Sequence, residues 1–166
     1  YIRDKEECLN KLNGFFAFCI YDKQEQTFLL ARDRYGIKPL LYVFDEDKFI
    51  FASEMKTILK YGIERNLDHL SLYNYLQLNY IPAPDTIFST VKKLLPGHYI
   101  KTGKKELSVK KYYDIPYDRV KAETNPISYE KAQEQFKNLL EASVQRRLVA
   151  DVPLGAFLSG GVDSSV

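Results

Sequence analysis

The chain has 166 residues, 45% of them apolar and 28% charged, a balance typical of a folded globular protein that argues against a disordered one. Its longest apolar run, 15–21, is far shorter than the roughly 20 residues of a membrane-spanning helix, and a net charge of +2 is too small to indicate a nucleic-acid partner. With only two cysteines a disulfide framework has no support, so we expect a cytoplasmic protein. Because residue 1 is Tyr1 and the only methionine is Met55, we also expect an interior piece of a longer chain.

The hydrophobic pattern and turn signals of residues 1–113 predict an α+β domain in which helices alternate with β-hairpins. The predicted strands are 15–21, 27–31, 40–44, 49–52, 97–101 and 106–112. The predicted helices are 3–12, a short one capped by Ser53 and ending near Gly62, and 68–78. In the last hairpin, Gly103 is expected to supply the positive φ of the turn.

Residues 114–127 lose this periodicity and contain Pro116 and Pro126, which predicts a linker. Ser128 is a suitable cap for a helix that follows, and its apolar side chains recur every three or four positions, so one face should pack on a sheet. Residues 152–158 are short and apolar, as a buried parallel strand would be. The sequence therefore predicts the start of an α/β domain over residues 128–166.

The segment SGGVDSS directly after this strand has the features of a phosphate-binding loop. Gly160 and Gly161 have no Cβ to keep backbone N–H groups away from phosphate oxygens. A helix beginning near Asp163 would direct its free N–H groups and the positive end of its dipole into the same space. Hydroxyl donors are supplied by Ser159, Ser164 and Ser165.

Asp163 is the one acidic residue of this loop. A carboxylate beside a phosphate is repulsive unless Mg²⁺ lies between them or a helix N-terminus takes up the charge, so Asp163 either binds a metal ion or caps the turn, with the metal favoured. The loop lacks the lysine of GxxxxGK[ST], which disfavours γ-phosphate transfer. A plain glycine-serine connection is the alternative, but six specified residues at fixed spacing arise by chance at on the order of one in ten million positions.

Four other residues invite a functional interpretation, and a structural one is favoured for each. His69 and His98 each stand alone, without a second ligand at metal-binding spacing. Asp33 lies between two arginines and is expected to form a structural ion pair before a turn. Cys19 lies inside the apolar run and is expected to pack in the core.

The loop and the chain before it resemble one family. VADVPLGAFLSGGVDSS is similar to the pyrophosphate loop of the N-type ATP pyrophosphatases, in the form found in glutamine-hydrolysing asparagine synthetases. Upstream, LNGFFAFCIYD, ARDRYGIKPLLY, FASEMKTIL, YIPAPDTIF and LPGHYI resemble the later part of that family's glutaminase domain. The resemblance therefore covers essentially the whole chain.

This resemblance implies the C-terminal part of an N-terminal-nucleophile αββα sandwich, followed by the start of a parallel-sheet ATP pyrophosphatase domain. The implied reaction converts aspartate to asparagine with ATP, Mg²⁺ and ammonia from glutamine, through a β-aspartyl adenylate with release of AMP and pyrophosphate. No nucleic acid or membrane partner is implied, and a homodimer is left open. The residues implied to bind ATP or pyrophosphate are Leu158, Ser159, Gly160, Gly161, Val162, Asp163, Ser164 and Ser165, with Asp163 also as the metal ligand.

The family's glutaminase nucleophile is an N-terminal cysteine whose own α-amino group acts as the base. The sequence begins with Tyr1, and neither Cys8 nor Cys19 can substitute, so no catalytic residue is assigned and the piece alone is expected to be inactive. Three alternatives stay open: another amide-forming ligase of the same two-domain family, a non-catalytic module with a vestigial loop, and an RNA-modifying enzyme with an SGGxDS loop. The last is disfavoured, because such enzymes would lack the glutaminase-like strands.

Overall fold

The computed structural model describes residues 1–45, 48–103 and 107–162. The chain divides into two compact units, the first running from Tyr1 to Ile115 and the second beginning at Pro116. The first unit combines helices with two antiparallel sheets, which agrees with the predicted α+β class. Within the described ranges, no helix is long and apolar enough to cross a membrane.

The described residues of the first unit form seven strands. The four-stranded sheet has the order β1-β2-β6-β7 and the three-stranded sheet the order β4-β3-β5. The strands are β1 (Ala17–Asp22), β2 (Thr27–Arg32), β3 (Leu41–Phe44), β4 (Phe49–Ala52), β5 (Lys92–Lys93), β6 (His98–Thr102) and β7 (Leu107–Lys111). The helices are a 3₁₀ helix (Lys5–Lys11), α1 (Met55–Leu59), α2 (His69–Leu78), α3 (Arg119–Glu123) and α4 (Tyr129–Arg147).

A hydrophobic core lies between the two sheets. Leu30 on β2 and Ile100 on β6 are fully buried there with Leu40 and Leu94, and half-buried Cys19 packs against them. The interpretation of Cys19 as a core residue is thus confirmed. Side chains alternate between the faces of a strand, so the buried neighbours of Leu30 on β2 lie on the opposite face of the sheet, which is therefore covered as well.

A second core covers the other face of the three-stranded sheet. Leu41 and Val43 of β3 pack there with Ile58 of α1 and with Val91. Helix α1 therefore forms an outer layer on this sheet. Its cap differs from the prediction: the N-cap is Glu54 instead of Ser53, and no side chain caps the helix, because the chain turns into the helix one residue later than expected.

The caps of α2 confirm the predicted helix 68–78. The side chain of Asp68 accepts a hydrogen bond from the backbone N–H of Ser71 at 2.9 Å, and Asn79 ends the helix with φ +59. Two other expectations differ. The first helix is 3₁₀ instead of α, and Gly103 does not have the expected positive φ, while the turn residues 104–105 lie outside the described residues.

The second unit differs more from the prediction. Helix α4 begins as expected at Ser128, whose hydroxyl accepts from the N–H of Lys131, but α3 lies within the predicted linker, where the side chain of Asp118 caps it. Residues 152–158 form no strand. A parallel strand exists only beside a hydrogen-bonded neighbour, and the described part of this unit contains no other strand. For the same reason the described part of this unit offers no sheet for the apolar face of α4, and Phe136 and Leu139 are exposed.

Candidate functional site

The described part of the predicted phosphate loop consists of residues 158–162, all exposed. Gly160 has φ +77, a left-handed backbone conformation that favours glycine. An added Cβ at Gly160 would meet no atom within 4 Å, so the backbone on that side is open. Leu158 and Val162 expose 75% and 81% of their surface. Three predicted site residues, Asp163, Ser164 and Ser165, lie outside the described residues.

The chemistry of these residues fits an anion. Backbone N–H groups at two successive glycines, together with the Ser159 hydroxyl, are donors that a phosphate oxygen accepts. The left-handed φ of Gly160 and the open space beside it leave room for such an oxygen to approach the main chain. The predicted metal ligand Asp163 lies outside the described ranges, and within them no three His, Cys, Asp or Glu side chains form a group able to hold a metal ion.

The two histidines take no part in a site of that kind. His98 places Nδ1 2.7 Å from the carbonyl oxygen of Pro96, which is a local contact within one turn. His69 is the first residue of α2.

Asp33 is structural, but the predicted ion pair is wrong. Its side chain is 1% exposed, and among the described residues its carboxylate pairs with backbone N–H groups instead of arginine side chains. One oxygen accepts from the N–H groups of Tyr35 and Ile37 at 3.2 and 3.0 Å, and the other accepts from Lys38 at 3.0 Å. A buried carboxylate thus satisfies the donors of a tight loop, which sequence adjacency to arginine could not reveal.

The pKa of Asp33 is lowered by this arrangement. Burial acts in the opposite direction, but the hydrogen bonds from the N–H groups of Lys38, Ile37 and Tyr35 together outweigh it. The negative charge of Asp33 also acts electrostatically on Tyr112, whose hydroxyl donates to the carbonyl oxygen of Arg32 at 2.8 Å. Burial, followed by the charge of Asp33, raises the pKa of Tyr112 to about 12. Both groups therefore keep their ordinary charge states at neutral pH.

Arg32 also stabilises this loop, by binding its carbonyl groups. Its guanidinium donates to three carbonyl oxygens, those of Lys38 at 2.8 Å, Leu94 at 2.6 Å and Gly36 at 2.7 Å. The loop after β2 is therefore held by a buried anion on its N–H groups and a half-buried cation on its carbonyl groups. Its contacts are those of a scaffold and not of a catalytic centre.

The environment of Cys19 disfavours a nucleophile. Both cysteines are free thiols, and both are half-buried. Burial raises the pKa of the Cys19 thiol to about 11, so it is protonated at neutral pH, whereas the reactive form of cysteine is the thiolate.

Two protein families match the chain. The glutamine amidotransferase domain family matches residues 1–113, and the asparagine synthase family matches residues 135–166. The first match ends two residues before the end of the first compact unit, and the second begins inside α4. The predicted phosphate loop lies within the asparagine synthase match.

Curated relatives agree with both matches. Asparagine synthetase [glutamine-hydrolyzing] 3 of Bacillus subtilis is 35% identical over 99% of this chain, which covers 26% of that relative. Putative asparagine synthetase [glutamine-hydrolyzing] 2 of Methanocaldococcus jannaschii is 37% identical over 96% of this chain, which covers 31% of that relative. Amidase chyE of Penicillium rubens is 37% identical over 95% of this chain, which covers 23% of that relative.

The chain thus spans between about a quarter and a third of the length of the two synthetases. The amidotransferase match covers more than half of the chain, and its region contains both antiparallel sheets. The chain therefore belongs to the glutamine amidotransferase domain family, joined here to a segment of the asparagine synthase type.

Proposed function

We propose that this protein converts aspartate to asparagine with ATP and with ammonia released from glutamine. The observation that carries the proposal is the succession of two matches on one chain, a glutamine amidotransferase domain and then asparagine synthase. Relatives named glutamine-hydrolyzing asparagine synthetases, 34% to 37% identical over nearly the whole chain, support it. An amidotransferase domain supplies ammonia, and a synthetase segment uses it.

The proposed domains are 1–113 for the later part of the glutaminase, 114–127 for the linker and 128–166 for the start of the synthetase. The layers of the first unit support an N-terminal-nucleophile αββα sandwich: two sheets face each other across one core, and α1 covers the outer face of the second sheet. For residues 128–166 we propose the start of a parallel-sheet ATP pyrophosphatase domain. Its sheet would cover the apolar face of α4 that the described residues leave exposed.

In the proposed reaction, a side-chain carboxylate oxygen of aspartate attacks the α-phosphorus of ATP, and the bond to the pyrophosphate leaving group breaks. Ammonia then attacks the acyl carbon of the β-aspartyl adenylate, and AMP leaves. Residues 158–165 would hold the pyrophosphate, whose negative charge increases as it departs. Hydrogen-bond donors of Ser159, Gly160 and Gly161 would stabilise that charge.

We also propose that Asp163 holds Mg²⁺ beside the pyrophosphate. When bound, Mg²⁺ supplies positive charge between the carboxylate and the phosphate oxygens, which would otherwise repel each other. Ser164 and Ser165 would add hydroxyl donors. The side chain of Leu158 and the backbone of Val162 would border the nucleotide.

The experiment that tests the function measures pyrophosphate release by the full-length protein with Mg²⁺-ATP and glutamine, with and without aspartate. We expect release that depends on aspartate and is accompanied by asparagine in equal amount. Release without any acceptor, or no release at all, would contradict the proposal and favour a non-catalytic module. Ammonium chloride in place of glutamine isolates the synthetase step.

A second candidate is an amide-forming ligase that acts on a different carboxylic acid. Two relatives favour it: amidase chyE of Penicillium rubens and amidase chry2 of Gibberella zeae, each 37% identical over 95% of this chain. The same assay separates the two functions when a panel of carboxylic acids replaces aspartate. Pyrophosphate release with another acid, and none with aspartate, would establish the second candidate.

A further inference from the structure

Five charged side chains form a connected network at one end of the four-stranded sheet. Lys5 places Nζ 2.9 Å from Asp22 Oδ2 and 2.9 Å from Glu25 Oε1. Lys101 places Nζ 2.7 Å from Glu6 Oε1 and 3.4 Å from Glu25 Oε2. Glu25 thus bridges both lysines, and the network is continuous from Asp22 to Glu6.

The network joins elements that are distant in the sequence. Lys5 and Glu6 belong to the 3₁₀ helix, Asp22 ends β1, Glu25 lies in the turn before β2, and Lys101 lies on β6. The sheet holds the last three residues in fixed positions, because β2 pairs with both β1 and β6. The N-terminal segment is therefore tied to a rigid frame by charged groups.

The backbone of Lys5 has an unfavourable conformation. Lys5 has φ +47, in the left-handed region that costs a side-chain-bearing residue about 1 kcal/mol or more. Its N–H donates to the carbonyl oxygen of Tyr1 at 2.7 Å, and its ammonium lies 5.1 Å from the centre of the Tyr1 ring. Such a conformation persists only when surrounding contacts hold it, and the two carboxylates that bind Nζ are such contacts.

We propose that these five residues are an ionic latch, which holds residues 1–8 against the four-stranded sheet and releases them in acid or at high salt while the sheet stays folded. Leu9, in the later half of the 3₁₀ helix, is fully buried, and its burial does not depend on charge. The latch therefore acts on the residues that precede Leu9. Local opening of this kind needs far less free energy than global unfolding.

Salt sensitivity follows from exposure. The side chains of Lys5 and Glu25 are 41% and 42% exposed, so dissolved ions reach and screen both partners. The burial of Leu9 does not depend on charge, so salt does not screen it. High salt should therefore loosen the latch without releasing Leu9.

Acid sensitivity follows from the carboxylates. The hydrogen bond from Lys5, followed by those from the backbone N–H groups of Glu25 and Gln24, lowers the pKa of Asp22 to about 2. Lys5, followed by Lys101, lowers the pKa of Glu25. A carboxyl group with a lowered pKa in the folded protein stabilises above its unfolded value of about 4 and loses that contribution as pH falls through the folded value.

The two lysines set the upper pH limit of the latch. Hydrogen bonds to Glu25 and Asp22 raise the pKa of Lys5, and the hydrogen bond to Glu6 raises the pKa of Lys101. The stabilisation from these two lysines is therefore fully present below their unfolded pKa of about 10.4 and is lost as the pH rises through their raised pKa values in the folded protein. The latch is therefore complete between about pH 5 and pH 10. The other titratable groups that face it are Tyr1, Tyr99 and Lys110.

Hydrogen exchange of individual backbone amides in the full-length protein tests the proposal. The N–H of Lys5, which donates to the carbonyl oxygen of Tyr1, reports the start of the 3₁₀ helix, and the N–H groups of Leu30 and Ile100 in the β2–β6 ladder report the sheet. Glu25→Gln removes both lysine contacts of the bridging carboxylate at equal volume. The matched control is Glu7→Gln, on the same helix and outside the network, where the carboxylate only accepts from the Asn10 side chain.

We expect Glu25→Gln to raise the exchange rate of the Lys5 amide about twofold to tenfold at pH 7 and low salt, with the sheet amides unchanged. Addition of 1 M NaCl should raise the same rate in the wild-type chain and have little further effect in the variant. The proposal is overturned if Glu25→Gln leaves exchange of the Lys5 amide unchanged, if Glu7→Gln raises it equally, or if the sheet amides accelerate to the same extent.

Discussion

Replacement of Asp33 by alanine should be among the most destabilising changes in the first unit. The substitution leaves three backbone N–H groups, of Tyr35, Ile37 and Lys38, without their charged acceptor. A hydrogen bond to a charged group contributes about 1.5–3 kcal/mol, and relaxation of the loop toward water recovers part of the sum. We therefore expect Asp33→Ala to lower the free energy of unfolding by about 3–5 kcal/mol, a large fraction of the roughly 5–15 kcal/mol of a typical domain.

Asp33→Asn separates charge from shape. The asparagine retains one oxygen for two of the N–H groups but presents an NH₂ group to the third, so a smaller loss is expected. Because the pKa of Asp33 is lowered in the folded protein, the advantage of the wild-type chain over Asp33→Asn should be complete above about pH 5 and shrink as pH falls below about 4.

Urea unfolding followed by tyrosine fluorescence measures these changes, since the chain has 13 tyrosines and no tryptophan. The matched control is Asp114→Ala, an exposed carboxylate that also accepts one backbone N–H, that of Ile115 at 3.0 Å, and should have no measurable effect. A loss for Asp33→Ala no larger than that of Asp114→Ala would refute the assignment of Asp33 as the acceptor that holds this loop.

Three further outcomes are expected. Gly97→Ala should lower the free energy of unfolding by about 2–4 kcal/mol, because Gly97 has φ +65 and a Cβ there would lie 2.7 Å from the carbonyl oxygen of Tyr113. Gly62→Ala should lower it by only about 1 kcal/mol, because Gly62 has φ +67 but no described atom lies within 4 Å of the added Cβ. The same urea experiment compares the two variants. Ile100→Ala should lower the free energy of unfolding by about 2–5 kcal/mol, because it would leave a cavity between the two sheets. A decrease of less than about 1 kcal/mol would contradict that packing. In the full-length protein, Asp163→Ala should abolish aspartate-dependent pyrophosphate release and spare glutamine hydrolysis, and equal loss of both activities would contradict separate sites.

The sequence alone determined the elements whose causes are local. Asp68 and Ser128 each begin a helix because a side-chain oxygen can accept the N–H three residues later. Six of the seven strands described in the first unit were predicted to within two residues at each end, since alternating and continuous apolar runs depend only on nearest neighbours, whereas the two-residue β5 was missed. The phosphate-binding features of the glycine-serine loop could also be predicted from its own residues, because they depend on glycines without side chains and on serine hydroxyl groups.

Tertiary structure decided everything that depends on a distant partner. Residues 152–158 have the composition of a buried strand, yet a strand needs a neighbour to hydrogen-bond with, and the described part of the second unit contains none. Asp33 lies between two arginines in the sequence, but the fold encloses its carboxylate within a loop of backbone donors. The latch between Lys5 and Glu25 exists only because the sheet brings β6 and the β1–β2 turn beside the N-terminal helix. Local patterns determine which elements form, whereas burial and pairing across the chain determine what each charged side chain contacts.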